Sequence, residues 1–180
     1  MIKSTIIFLL SNFTLTFCVV GLVFSAVAMA RKAQALSTSM IVEKLISWFV
    51  FWNIGVQYAY NFVFHTFYGE MAAAFIGWAD SPFQLEVGMA SLGFSVVGFL
   101  AAFGSFDLRL AAIVAPGIFM LGAAAGHVHQ MIAAHNYAPG NAGIIFWTDI
   151  LLPTAGFVLL WLQRRAARGT AAPMQGAVTA

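Results

Sequence analysis

The chain has 180 residues, of which 62% are hydrophobic and only 8% are charged, with 8 Lys and Arg against 6 Asp and Glu. A soluble domain carries about 25% charged residues. The composition therefore excludes a soluble globular enzyme, a disordered chain and a nucleic-acid-binding protein, which needs a basic face. The single cysteine, Cys18, excludes an intrachain disulfide and CxxC redox or zinc motifs. We predict an integral membrane protein whose partner is the lipid bilayer and which binds no nucleic acid.

Five stretches of the chain are long and apolar enough to cross a membrane, which takes roughly 20 residues for a hydrocarbon layer of ~30 Å. They predict an all-α fold, a compact bundle of five transmembrane helices that forms a single domain over residues 1–168. The small, polar residues 169–180 are predicted to form a flexible cytoplasmic tail. The predicted spans are residues 5–30, 45–68, 83–103, 110–131 and 144–163.

A shorter segment, Glu70–Asp80, lies between the second and third spans and is too short to cross. We expect it to form a brief interfacial helix or a re-entrant segment. The sequence Ser81-Pro82-Phe83-Gln84 after it is typical of a helix start, with Ser81 as the N-cap, Pro82 at the first helical position and Gln84 at the third.

The distribution of Lys and Arg over the loops predicts the orientation of the chain. Seven of these residues fall on one side of the five-span arrangement, and only Lys3 falls on the other. Because positive residues concentrate in cytoplasmic loops, we expect the N-terminus outside and the C-terminus in the cytoplasm. The seven residues are Arg31, Lys32, Lys44, Arg109, Arg164, Arg165 and Arg168.

Small residues four apart predict close helix contacts in two spans. Gly122 and Gly126 form a GxxxG motif in the fourth span, and Gly21 and Ser25 repeat the spacing in the first. Such positions let helix backbones approach closely in lipid. The contacts are expected within the chain or between the copies of an oligomer.

Four polar residues recur at intervals of four along the second span, at Asn53, Gln57, Asn61 and His65. This spacing places them on one slowly drifting side of a helix. Because amides that point into lipid lack hydrogen-bond partners, we expect this stripe to face the bundle. It is either a set of interhelical hydrogen bonds or the wall of a hydrated pocket.

Two histidines and two carboxylates lie at one depth on four different spans, within five residues of the predicted outer ends: His65, Glu86, His127 and Asp149. At 1.5 Å per residue they fall roughly 5–8 Å below the outer interface. Such residues are costly in a span and mark functional sites. We therefore predict that they converge in one outer pocket. Polar residues expected to support it are Asn53, Gln57, Asn61, Tyr68, Glu70 and Gln130.

Three motifs lie at the predicted outer ends of the spans. They are the run Phe64–Glu70, the run Ser81–Gly88, and the run from Gly126-His127 through Asn136–Gly143 to Trp147-Thr148-Asp149. These motifs resemble an uncharacterised family of small bacterial multi-pass membrane proteins, a domain of unknown function. The similarity covers about residues 45–161. It implies a bacterial inner membrane and a compact helical bundle, and it implies no activity.

Several functions remain open at this point. The predicted pocket suits a periplasm-facing site for a first-row transition metal, for b-type haem held by two histidines, or for another small ligand. The alternative is a non-catalytic structural or accessory subunit of a homo-oligomer or larger membrane complex, with the polar layer serving as interhelical glue. A transporter is disfavoured because the inner halves of the spans carry few polar residues. An enzyme would pair Glu86 with His65 or His127 for acid–base chemistry, but the sequence identifies no nucleophile.

Overall fold

A computed structural model describes residues 1–31 and 35–171, which are helical apart from short connections and contain no β-strand. Five helices in this part of the chain are long and apolar enough to cross a membrane. The prediction of an all-α, five-span membrane protein is therefore confirmed. Lys32, which entered the orientation argument, and residues 172–180 of the predicted tail lie outside the described residues.

The helices follow one another with short connections, and a stretch of π-helix interrupts the second span. In chain order they are α1 (Ile2–Ser11), α2 (Phe13–Ala30), α3 (Thr38–Phe49), the π segment (Val50–Val56), α4 (Gln57–Phe67), α5 (Gly69–Ile76), α6 (Phe83–Ala101), α7 (Phe106–Ala133), α8 (Pro139–Ala142) and α9 (Ile144–Ala171).

The first span differs from its prediction because the helix breaks at Asn12. The Asn12 side chain donates to the carbonyl of Phe8 at 2.9 Å, and its own backbone leaves the helical region, with φ −114° and ψ 43°. Asn side chains that bond to nearby backbone in this way compete with the helix. The spanning helix is thus α2 alone, and α1 is a separate short apolar helix.

The second and fifth spans extend furthest beyond their predicted bounds, and the fourth, Phe106–Ala133, is also longer than predicted. The second begins at Thr38, seven residues before the predicted start, where the Ser37 hydroxyl accepts from the backbone N–H of Met40. The fifth continues to Ala171, so that residues 169–171 of the predicted tail are helical. In both cases polar residues continue the helix beyond the apolar stretch that defined the predicted span.

The π segment makes a tight crossing with α6. A methyl group built on Gly98 would lie 2.6 Å from the backbone nitrogen of Gly55. The Ser95 hydroxyl donates to the carbonyl of Gly55 at 2.8 Å. Small residues thus bring two backbones together, as is common between membrane helices.

The two small-residue pairs differ in their packing. Gly21 and Ser25 are buried, and a methyl group on Gly21 would lie 3.3 Å from the backbone of Trp48. In contrast, a methyl group on Gly122 would meet no atom within 4 Å, and one on Gly126 would meet only the Trp78 ring at 3.7 Å. The prediction of close helix packing within the chain is confirmed for Gly21 and Ser25 and is wrong for Gly122 and Gly126. The reason is that α7 turns these glycines away from the neighbouring spans.

The helices α5 and α8 lie against each other at one end of the bundle, which we call the α5 end. The Asn136 side chain donates to the carbonyls of Ile76 and Gly77 at 3.0 and 3.1 Å, where α5 ends in a left-handed glycine. Gly140 lies so close to Phe75 that a methyl group there would approach the ring to 2.6 Å. The expected brief helix between the second and third spans is therefore present as α5, and it covers this end.

At the opposite end, Arg109 lies within α7 rather than in a loop, and only 1% of it is exposed. It forms an ion pair with Glu43 of α3. The placement of Arg109 in a loop was wrong because Ser105 caps α7, whose first residue, Phe106, lies four residues before the predicted start of the span.

Candidate functional site

A cavity of about 670 Å³ lies inside the bundle next to the α5 end. Its volume falls in the range of small-molecule binding sites, which are about 300–1,000 Å³. Residues of eight helices line it, so the whole fold contributes to its shape. Its walls are mainly apolar and aromatic, formed by side chains that include Phe13, Tyr60, Phe64, Phe75, Ile76, Trp78, Phe119, Met120 and Ile145.

The structure brings three of the four predicted pocket residues to this cavity. His65, His127 and Asp149 line it, whereas Glu86 is exposed and is not part of its wall. Gln84 and Val87, three residues apart on α6, face the cavity. Glu86 lies outside that face because successive helical residues are rotated by about 100°. The predicted convergence of all four residues is therefore wrong for Glu86.

His127 and Asp149 form a pair across α7 and α9, which we call the dyad. Both are buried, with 4% and 7% exposure, and Nε2 of His127 lies 3.5 Å from Oδ2 of Asp149. The other ring nitrogen, Nδ1, lies 2.8 Å from Oδ1 of Asn141. The fully buried Asn141 thus connects the dyad to the short helix α8.

The partners of Asn141 determine the orientation of its amide. Its oxygen accepts from Nε1 of Trp78 at 3.0 Å, and an indole nitrogen is a donor only. Its nitrogen donates to the carbonyls of Asn136 and His127 at 2.9 and 3.3 Å, and carbonyls are acceptors only. The group that faces Nδ1 of His127 is therefore the amide oxygen, so Nδ1 must carry a proton.

This assignment determines how many protons the dyad holds. With Nδ1 protonated, a neutral His127 presents a lone pair at Nε2, and an ionised Asp149 presents another at Oδ2. We infer that a proton lies between them, because two buried lone pairs at 3.5 Å would repel each other. The dyad then holds one proton there, either as imidazolium with carboxylate or as imidazole with carboxylic acid. In both forms its net charge is zero.

His65 lies on another wall of the cavity, where its Nδ1 is 2.6 Å from Oε1 of Gln84. The carbonyl oxygen of Gln84 accepts, so Nδ1 donates, and in the neutral imidazole the lone pair is then on Nε2. The expected capping role of Gln84 at the start of α6 is wrong, because no side chain caps that helix and Gln84 binds His65 instead.

The polar stripe of the second span faces the interior, as predicted. Asn53 and Gln57 are 2% and 3% exposed, and Asn61 donates to the Ser91 hydroxyl at 2.9 Å. Gln57 and Asn61 line the cavity. The buried amide oxygen of Gln57 has no hydrogen-bond partner among the residues that the structure describes.

The other polar residues expected at the site do not reach the cavity. Tyr68, Glu70 and Gln130 are absent from its lining, and the first two are exposed. Instead, Gln84 lines the cavity and Asn141 holds the dyad; from the sequence, only a role at the helix start was predicted for Gln84, and no role at the site was predicted for Asn141.

The arrangement does not fit a metal or haem site. Among residues 1–31 and 35–171, no group of three or more His, Cys, Asp and Glu residues could hold a metal ion. Both ring nitrogens of His127 are already engaged, by Asn141 and Asp149. His127 would have to leave the dyad to ligate iron. The geometry therefore favours a site that binds through hydrogen bonds and apolar contacts.

Comparison with protein families gives a match over residues 11–169 to the family of unknown function DUF6790. The chain belongs to this family. The match includes all five spanning helices and every residue of the dyad and its partners. Comparisons with curated proteins and with solved structures gave no match. The predicted membership of an uncharacterised family is thus confirmed, and the family supplies no activity.

Proposed function

We propose that this protein is a membrane-embedded binding protein for a small amphiphilic ligand. The ligand's apolar body lies in the cavity, and its polar headgroup meets the wall that carries His65 and the dyad. The observation that carries this proposal is the combination of mainly apolar walls with a small set of buried polar side chains in one cavity of ligand size. That combination is typical of small-molecule sites.

The proposal includes a route from the bilayer. Leu10 and Ser11 of the exposed helix α1 border the cavity, and Tyr60 donates to the carbonyl of Leu10 at 3.1 Å. The side chains of α1 are mainly apolar and point outwards. A ligand dissolved in lipid reaches the cavity beside α1 without crossing water.

We also propose that the protein lies in a bacterial inner membrane, with the N-terminus outside and the C-terminus in the cytoplasm. The positive residues support this orientation. Arg31, Lys44 and the three arginines near the end of α9 lie at the end opposite to α5. Positive residues concentrate on the cytoplasmic side. The cavity then opens in the periplasmic half of the membrane.

The test is to purify the protein in its native lipids and to identify bound small molecules by mass spectrometry. Ala123 lines the cavity, so Ala123→Trp fills part of it. Ala125 is exposed on the same helix and does not line the cavity, so Ala125→Trp is the matched control. We expect an amphiphile to co-purify with the wild type and the control and to be lost from Ala123→Trp.

An identical set of bound molecules in all three proteins would contradict the proposal. It would favour the alternative role as an accessory subunit, in which the cavity has no ligand. Folding of each variant is checked by circular dichroism, because loss of the ligand is informative only in a folded protein.

A further inference from the structure

We infer that the headgroup recognised by the cavity is an electroneutral hydroxyl, as in a long-chain alcohol, rather than an ammonium, a carboxylate or an ether. This inference rests on the proposed function and names the chemical class of its ligand. It follows from the charge of the cavity and from the hydrogen-bonding capacity that its walls leave unused.

The charge of the cavity is zero. Its titratable lining residues are Tyr58, Tyr60, His65, His127 and Asp149, and no Lys or Arg of the described residues lines it. The dyad holds one proton and carries no net charge, as the orientation of Asn141 requires. A charged headgroup would therefore enter a mainly apolar cavity without a counter-charge, which is costly unless a proton is exchanged.

The ring O–H and N–H donors around the cavity are already used within the protein. Tyr58 donates to the carbonyl of Pro116 at 3.3 Å, and Tyr60 donates to that of Leu10. Trp78 donates to Asn141. A ligand that offers only acceptors, such as an ether, finds none of these three donors free, so it can accept only from the side-chain amides and leaves the free acceptors of the wall unpaired.

At His65 and Asp149, the hydrogen-bonding atoms that the protein leaves unused are acceptors. His65 donates from Nδ1 to Gln84, so its Nε2 lone pair remains. Asp149 uses one oxygen towards His127, and its second oxygen has no partner among the described residues. The Gln57 amide oxygen is buried without a partner, and its amide nitrogen, which donates to no described residue, is the donor that Gln57 leaves for a ligand. A hydroxyl complements this set because it donates to a ring nitrogen or a carboxylate and also accepts from an amide.

The experiment compares four probes with the same 12-carbon tail: dodecanol, dodecylamine, dodecanoate and dodecyl methyl ether. Binding to the full chain in lipid nanodiscs is measured by calorimetry in two buffers of different ionisation enthalpy, which gives the number of protons exchanged. We expect dodecanol to bind at least tenfold more tightly than the other three, with no proton exchanged.

A matched pair of variants tests the role of His65. His65→Phe keeps a ring and removes the acceptor, and His129→Phe changes an exposed histidine that does not line the cavity. Loss of one hydrogen bond should weaken dodecanol binding about tenfold in His65→Phe. Binding of dodecanol should be unchanged in His129→Phe. Binding of the ether should be unchanged in both variants. A general distortion of the cavity would instead weaken binding of the ether as well.

Two results would overturn the inference and leave the proposed function standing. One is tighter binding of dodecylamine with release of about one proton, which would mean that a cation replaces the proton of the dyad. The other is tighter binding of dodecanoate with proton uptake. If none of the four probes binds and Ala123→Trp retains the same co-purified molecules as the wild type, the proposed function itself fails.

Discussion

The guanidinium of Arg109 donates to both carboxylate oxygens of Glu43, with nitrogen–oxygen distances of 2.8 and 2.7 Å. It also donates to the Ser47 hydroxyl and to the carbonyls of Ala101 and Ala102. Gln163 of α9 donates to the same carboxylate at 3.2 Å. This network joins the second, third, fourth and fifth spans at the end of the bundle opposite to the cavity.

The two partners of this ion pair differ in exposure, and that difference predicts unequal effects of their removal. Arg109 is 1% exposed and the Glu43 side chain is 48% exposed. Glu43→Leu leaves a buried guanidinium without its counter-charge and should lower the free energy of unfolding by about 3 kcal/mol. Arg109→Leu leaves a carboxylate that water can reach and should cost less. Thermal unfolding in detergent measures both.

The double variant with leucine at both positions provides the control for this prediction. It should be more stable than Glu43→Leu alone, because apolar replacement of both partners removes the unpaired charge. A larger loss of stability for Arg109→Leu than for Glu43→Leu would contradict the argument.

The crossing of α6 with the π segment predicts opposite effects for two glycines of the same helix. In Gly98→Ala the new methyl group would meet the backbone of Gly55, which cannot move aside as a side chain can. We expect a loss of about 1–3 kcal/mol or more in unfolding free energy. Gly93→Ala meets no atom within 4 Å and should stabilise the helix by up to about 1 kcal/mol. Equal melting temperatures for the two variants would contradict the crossing geometry.

Much of the fold follows from short-range patterns in the sequence. The apolar stretches predicted five spans because the length of a span is set by the bilayer. The stripe from Asn53 to His65 predicted an inward face because amides need partners in lipid. Both inferences use only residues within one helix, and the structure agrees with both.

The site itself depends on how far each helix is rotated about its own axis, and the sequence does not determine that rotation. Glu86 has the expected depth but lies on the exposed side of α6. Asn141 and Gln84 sit where local turn and capping roles are common, so their contacts with His127 and His65 were not foreseen. The Glu43–Arg109 pair joins residues 66 positions apart, which no local pattern connects.

The proposed orientation predicts which ends of the chain a reagent outside the cell can reach. In a Cys18→Ser background, Asp80→Cys places a thiol at the α5 end and Asp107→Cys places one at the opposite end, both at exposed positions. We expect a membrane-impermeant maleimide to label only the first variant in intact cells and both after lysis. Labelling of Asp107→Cys alone in intact cells would reverse the orientation.

If the dyad shares a single proton, its contribution to the unfolding free energy should depend on the hydrogen bond to His127 and not on the charge of Asp149. In Asp149→Asn the amide nitrogen can donate to Nε2 of His127, while Asn141 still accepts from Nδ1. No lone pairs then face each other, so the unfolding free energy should stay within about 1 kcal/mol of the wild type. Asp149→Leu has a similar size but supplies no donor and leaves Nε2 of a buried histidine unpaired, which costs about 1–3 kcal/mol.

Nitrogen-15 NMR of histidine-labelled protein checks the same assignment directly. The His127 signals, identified by their loss in His127→Gln, should show a protonated Nδ1 in both the wild type and Asp149→Asn. A free lone pair at Nδ1 in the wild type would contradict the amide orientation of Asn141. A loss of stability in Asp149→Asn as large as in Asp149→Leu would instead show that the carboxylate charge, and not the shared proton, holds the dyad together.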